Sequence, residues 1–99
     1  MKFYRVLDMS ISKDSGTYGD NKFRVGSYGS SGGVMTSLDE CVAKIDRERE
    51  IYKNIKYGEV TILKDEITEF QAKLVEHKLD GTVRETIYAI KVEVTDINI

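Results

Sequence analysis

The chain contains no proline, one cysteine and one histidine. Without proline, its turns fall to glycine, asparagine and aspartate, and no prolyl isomerisation can slow folding. A lone cysteine excludes an internal disulfide and a cysteine-based zinc site, and it suits a reducing compartment. A lone histidine without clustered cysteines speaks against a transition-metal centre, and no cofactor is implied. No charge sign dominates: 15 Lys/Arg stand against 17 Asp/Glu, and the net charge of −2 selects neither a nucleic acid nor a membrane. No apolar run is long enough to span a bilayer. Met1-Lys2-Phe3-Tyr4-Arg5 lacks the apolar core of a secretory signal, so the cytoplasm is the expected location.

What is present describes one small folded domain over residues 1–99. Apolar residues make up 40% of the chain and charged residues 32%, an ordinary balance for a globular protein. The distribution is uneven. Residues 1–37 hold five Lys/Arg, three Asp/Glu and five of the nine aromatics, so this third is slightly basic and rich in rings.

Alternation predicts a strand over 2–11, with Phe3, Arg5, Leu7, Met9 and Ile11 as the better core face. A polar stretch, Ser12 to Asn21, reads as a hairpin loop leading to a short strand over 22–28. A helix follows. Ser37 is a suitable N-cap and Glu40 completes a capping box. Leu38, Cys41, Val42, Ile45, Tyr52 and Ile55 form one apolar stripe, and Gly58 is the expected stop. Residues 59–64 read as a third strand. Asp80-Gly81 signals a hairpin between strands at roughly 67–78 and 83–95. A two-residue turn there places Glu76 opposite Glu85, a mild repulsion that argues for another register or loop length. The expected fold is α+β: an antiparallel or mixed sheet of about five strands, in the order β-β-α-β-β-β, with one long helix across one face.

The segment that departs from the needs of a small core is glycine-rich: Gly26-Ser27-Tyr28-Gly29-Ser30-Ser31-Gly32-Gly33. Backbone N–H groups before a helix can cradle an anion. No Gly-Lys-Ser/Thr follows, however, and Asp39 and Glu40 at the helix entrance repel phosphate. The better reading is a pliant contact surface built from Tyr28, Gly29, Ser30, Ser31, Gly32, Gly33 and Ser37, with Tyr57 as a further exposed contact. A nucleotide or nucleic-acid surface is the alternative, using the same loop with Arg5, Lys22 and Arg24 and the rings of Tyr4, Phe23 and Tyr28. No catalytic residues stand out. Cys41 lies on the apolar stripe, and paired carboxylates such as Asp39-Glu40 and Asp65-Glu66 read as solvated charge. A long β-branched strand at 83–95, if it lies at an edge, invites a homodimer through strand addition.

The Met-Lys-Phe-Tyr-Arg-Val start, the Ser-Leu-Asp-Glu helix entry with dense Lys/Glu pairing, and the Leu-Asp-Gly-Thr-Val hairpin together resemble, in style, the short orphan proteins of bacteriophages. The resemblance implies a non-enzymatic inhibitor that binds a host defence or regulatory protein, in the host cytoplasm. It implies, as the alternative, a nucleotide sponge.

Overall fold

The computed structural model describes residues 1–26, 28–30, 33–35 and 37–97. Its elements run β1 (Lys2–Gly16), β2 (Phe23–Val25), β3 (Gly29–Ser30), α1 (Leu38–Lys53), β4 (Glu59–Glu66), β5 (Glu69–His77) and β6 (Thr82–Asp96). The strands form one antiparallel sheet in the order β2-β1-β6-β5-β4, and the two-residue β3 also pairs with β1. The helix lies across one face, so the α+β architecture matches the expectation. No helix among the described residues is long and apolar enough to cross a membrane.

β1 and β6 pair along their full lengths, from Lys2↔Asp96 to Gly16↔Thr82. Strands this long span roughly 50 Å at about 3.3 Å per residue. They account for the elongated shape, 57 × 25 × 19 Å. β1 therefore continues through residues that had read as loop; Asp14 and Ser15 stay in the ladder opposite Arg84 and Val83.

The helix covers the face that β1 shows through Tyr4, Val6 and Asp8, not the face expected from β1 alone. The register explains this. Val6 sits opposite Val92, and Asp8 opposite Ile90, which in turn faces Phe70 on β5. Tyr88, Ile90 and Val92 with Phe70, Ala72 and Leu74 make the more apolar face of the whole sheet, and β1 must follow its neighbours. Val6, Cys41, Ile45, Phe70, Ala72 and Ile90 form the core, with Tyr4, Met35, Tyr52, Val60, Tyr88 and Val92 packed around it. Tyr52 stacks on Tyr88 with ring centroids 4.9 Å apart. Burial raises both phenols, Tyr52 to about 12. Arg49 lies over the Phe70 ring, 5.7 Å from its centroid, while its guanidinium binds Asp46, Asp65 and the Glu66 carbonyl.

Three local details differ from the expectations. Ser37 is the N-cap but makes no side-chain capping bond, so the capping box is not formed. The helix ends at Lys53, five residues before Gly58. The Asn54 side-chain amide donates to the Glu50 carbonyl at 2.7 Å and closes the last turn. Gly58 serves packing instead: a Cβ there would lie 2.7 Å from the Val75 carbonyl oxygen. The β5–β6 turn has three residues, Leu79-Asp80-Gly81, between Lys78 and Thr82, whose backbones bond at 2.9 Å. This shifts the register by one and sets Glu76 against Arg84 in place of Glu85.

Gly81 adopts φ +86° in that turn, and a Cβ would approach Thr17 Oγ1 to 2.8 Å. Gly81→Ala is therefore expected to cost about 1–3 kcal/mol, the usual strain of a side chain in this region. Urea denaturation reads it, and an unchanged midpoint would contradict the turn geometry.

Beyond the helix, Asp14 joins the two long strands to β2. Its carboxylate accepts from Arg84 at 2.7 Å and pairs with Arg24 at 3.4 Å. The Arg84 hydrogen bond, ahead of all other causes, holds the Asp14 carboxyl below its ordinary 3.8. A depressed folded-state pKa stabilises the fold above the unfolded value, and that contribution is lost as pH falls through the folded one. The expected result is a stability loss in acid that begins near pH 3.8 and is smaller in Asp14→Asn. Denaturation midpoints between neutral pH and pH 2.5 measure it; equal acid slopes would refute the role.

Candidate functional site

The face of the sheet away from α1 has no second layer among the described residues. On β1 it carries Phe3, Arg5, Leu7, Met9, Ile11 and Lys13. Their direct partners on β6 are Thr95, Glu93, Lys91, Ala89, Ile87 and Glu85. Ile11 also pairs with Val25 across the β1–β2 side, and Lys13 with Phe23. Leu7, Met9, Ile11, Val25, Ile87 and Ala89 thus lie in adjacent rows and make one apolar strip. Exposure along it is uneven: Ala89 is 3% exposed and Leu7 9%, against 36% for Ile87 and 69% for Val25. Charged residues border the strip, and most are already paired with one another. Arg5 binds Glu93, Lys73 reaches Glu85 at 3.7 Å, and Lys64 binds Glu69 at 2.9 Å. The Lys64 bond, ahead of other causes, lowers the Glu69 carboxyl.

The expected contact loop adjoins this face. Tyr28 lies on it, with Lys91 Nζ 4.4 Å from the ring centroid. Gly29 and Ser30 pair with Asp8 and Leu7, and Met35 exchanges two 2.7 Å backbone bonds with Tyr4. Both described ends of the loop are therefore tied to the outer edge of β1. Gly33 is exposed, with open space where a Cβ would stand. Ser31 and Gly32 lie outside the described residues. Ser37 is at the helix entrance. Tyr57 is exposed just beyond the helix, on the helix side and apart from Tyr28.

The basic residues of the nucleic-acid alternative are not brought together. Arg5 is on the open face, bound to Glu93; Arg24 is on the helix face, bound to Asp14 and Asp20. Lys22 is exposed before β2. Tyr4 packs against the core, whereas Phe23 lies on the open face beneath Lys13 Nζ, 5.1 Å from its ring. Cys41 is buried beside Met35, its Sγ 3.6 Å from Sδ, and burial pushes its thiol up. His77 is exposed at the opposite end of the sheet, across from Val83. No three His, Cys, Asp or Glu side chains among the described residues cluster as metal ligands.

β6 is not an edge over most of its length: β1 and β5 flank it from Val83 to Lys91. The condition for pairing through 83–95 is thus unmet there. The outer strands are the three-residue β2 and, on the other side, β4, where the register shifts between Ile62 and Lys64. That bulge, with Lys64, Asp65 and Glu66, blunts the edge against strand addition.

On the helix side, past the end of α1, a cavity of about 450 Å³ opens. Asp8, Met9 and Ser10 of β1, Thr86 and Tyr88 of β6, and Tyr52 of α1 line it, together with Gly26 and Gly29. This juxtaposition was not legible in the sequence, because Asp8 and Tyr52 read as unrelated positions on different elements.

No protein family, curated protein or solved structure matches this chain.

Proposed function

We propose that this chain is a non-enzymatic binding protein that docks a protein partner on the open face of its sheet. The observation that carries this reading is the apolar strip on the open face: Val25 and Ile87 are exposed, Met9 and Ile11 half-buried, and Leu7 and Ala89 buried beneath them. Contiguous apolar surface bordered by polar residues marks a docking surface. Arg5, Lys64 and Lys73 are paired with carboxylates, and Lys13 and Lys91 lie over the Phe23 and Tyr28 rings, so most of the cationic charge on this face is engaged and the face suits a largely apolar protein surface. Tyr28 extends the strip with an amphipathic ring, a residue type enriched at interfaces.

The resemblance to short phage proteins supplies the partner class: a host defence or regulatory protein, bound and blocked in the cytoplasm. The nucleotide alternative has weaker support, because Arg5 and Arg24 are neutralised and lie on opposite faces. Capture from bacterial lysate at physiological salt tests the reading. The expected result is a protein retained by the wild type and by Tyr57→Ala, and lost when Ile11 and Ile87 are both made charged. Retention that ignores those two substitutions, or retention of nucleic acid alone, would overturn it.

A further inference from the structure

The cavity beyond the helix lies on the face opposite the docking strip and has its own chemistry. Tyr52 and Tyr88, stacked on each other, both line it. At its floor stands the Asp8 carboxylate, which makes no side-chain hydrogen bond or ion pair among the described residues, and the hydroxyls of Ser10 and Thr86 are beside it. Glu48, one helical turn before Tyr52, is not in the lining but is close enough to act on both rings, and it makes no ion pair among the described residues. Burial does most to raise both phenols; Glu48 and Asp8 add to it at Tyr88, and Glu48 at Tyr52. No Lys or Arg lines the cavity among the described residues. The cations further along the same face, Arg24 and Arg84, are both engaged by Asp14.

This is the reverse of a phosphate cradle. A negative floor, hydroxyl acceptors and aromatic rings together attract an organic cation. Its charge meets Asp8, with Glu48 nearby, and its N–H or C–H groups meet the ring surface that the Tyr52–Tyr88 stack leaves open. The volume lies within the range of small-molecule sites and admits an alkylammonium or guanidinium group with its aliphatic stem. Gly26 and Gly29 present only bare backbone to it; at Gly29 a Cβ would point into open space, so the mouth is wide.

We infer that this cavity is a binding site for a primary ammonium or guanidinium group. The group belongs either to a free polyamine or to a Lys or Arg side chain of a bound protein.

Ring resonances of Tyr52 and Tyr88, followed by NMR at constant ionic strength, test the site. Spermidine probes the free source, and a short neutral-flanked peptide with one arginine probes the side-chain source. The expected result is saturable shifts of both rings with at least one probe. Affinity should weaken at least tenfold in Asp8→Asn and also fall in Glu48→Gln. Both substitutions are near-isosteric at positions not fully buried, so the fold is retained and is checked in the same spectra. Saturation by spermidine alone or by the peptide alone identifies the source. Shifts that do not saturate with either probe, or that persist unchanged in Asp8→Asn, would overturn the inference. The docking strip is untouched by these variants, so failure here leaves the proposed function standing, and the converse also holds.

Discussion

Replacing Phe70 with alanine is expected to lower the free energy of unfolding by about 3–5 kcal/mol. Phe70 is fully buried on β5, between β6 and β4, and is the largest of the fully buried side chains. It supports the helix at two points. The Tyr52 ring is tilted against it at 6.1 Å, and the Arg49 guanidinium lies over its face. Alanine would leave a cavity that neither partner can fill, because Tyr52 is held by its stack on Tyr88 and Arg49 by its carboxylates. Domains of this size have roughly 5–15 kcal/mol in total, so the loss is a large share of the fold's stability. At about 4–8 °C per kcal/mol, the melting temperature should fall by roughly 12–40 °C. Urea denaturation followed by far-ultraviolet circular dichroism gives the number. A loss below about 1 kcal/mol would mean that α1 does not pack on β5 as described.

The second large effect is on binding rather than stability. Ile11 and Ile87 face each other directly across β1 and β6, at the centre of the open strip. Ile11→Lys combined with Ile87→Glu replaces an apolar pair with an opposite-charge pair, which keeps a favourable cross-strand contact. The new glutamate would also stand opposite Lys73 on β5. Lower strand propensity should cost about 1 kcal/mol. The partner, by contrast, would have to desolvate two charges in the middle of the interface. Central contacts of this kind are worth about 2 kcal/mol or more, so affinity should fall about thirtyfold or further. Titration calorimetry against the captured partner measures this. Unchanged affinity with intact folding would move the interface off this face.

These expectations differ in how much of their basis the sequence contained. The hairpin at Asp80-Gly81 and the apolar alternation of Tyr88, Ile90 and Val92 are local signals, and both elements stand where those signals put them. The register of that hairpin depended on one extra turn residue, which only the left-handed Gly81 and the Lys78–Thr82 pairing reveal. The end of α1 was misplaced because the apolar spacing continues to Ile55, whereas the chain turns at Asn54. The core face of β1 was reversed for a more general reason. Alternation within one strand ranks its own two faces, but burial is decided by the whole sheet, and β5 and β6 outvote β1. The same error bears on the proposed docking face. Leu7, Met9 and Ile11 read as core because they are apolar; they lie on the face that no helix covers, where Leu7 is still buried and Met9 and Ile11 are half-buried. Ser31 and Gly32 of the glycine loop lie outside the described residues, while its ends are bound to β1 beside that strip.

Side-chain footprinting of the complex by hydroxyl radicals tests the docking face most directly. Met9, Phe23 and Tyr28 are reactive side chains on the open face, and Tyr57 is an exposed control on the helix side. The account predicts that partner binding protects Met9, Phe23 and Tyr28 and leaves Tyr57 as reactive as in the free protein. Protection of Tyr57 with no change at Met9, Phe23 and Tyr28 would contradict it.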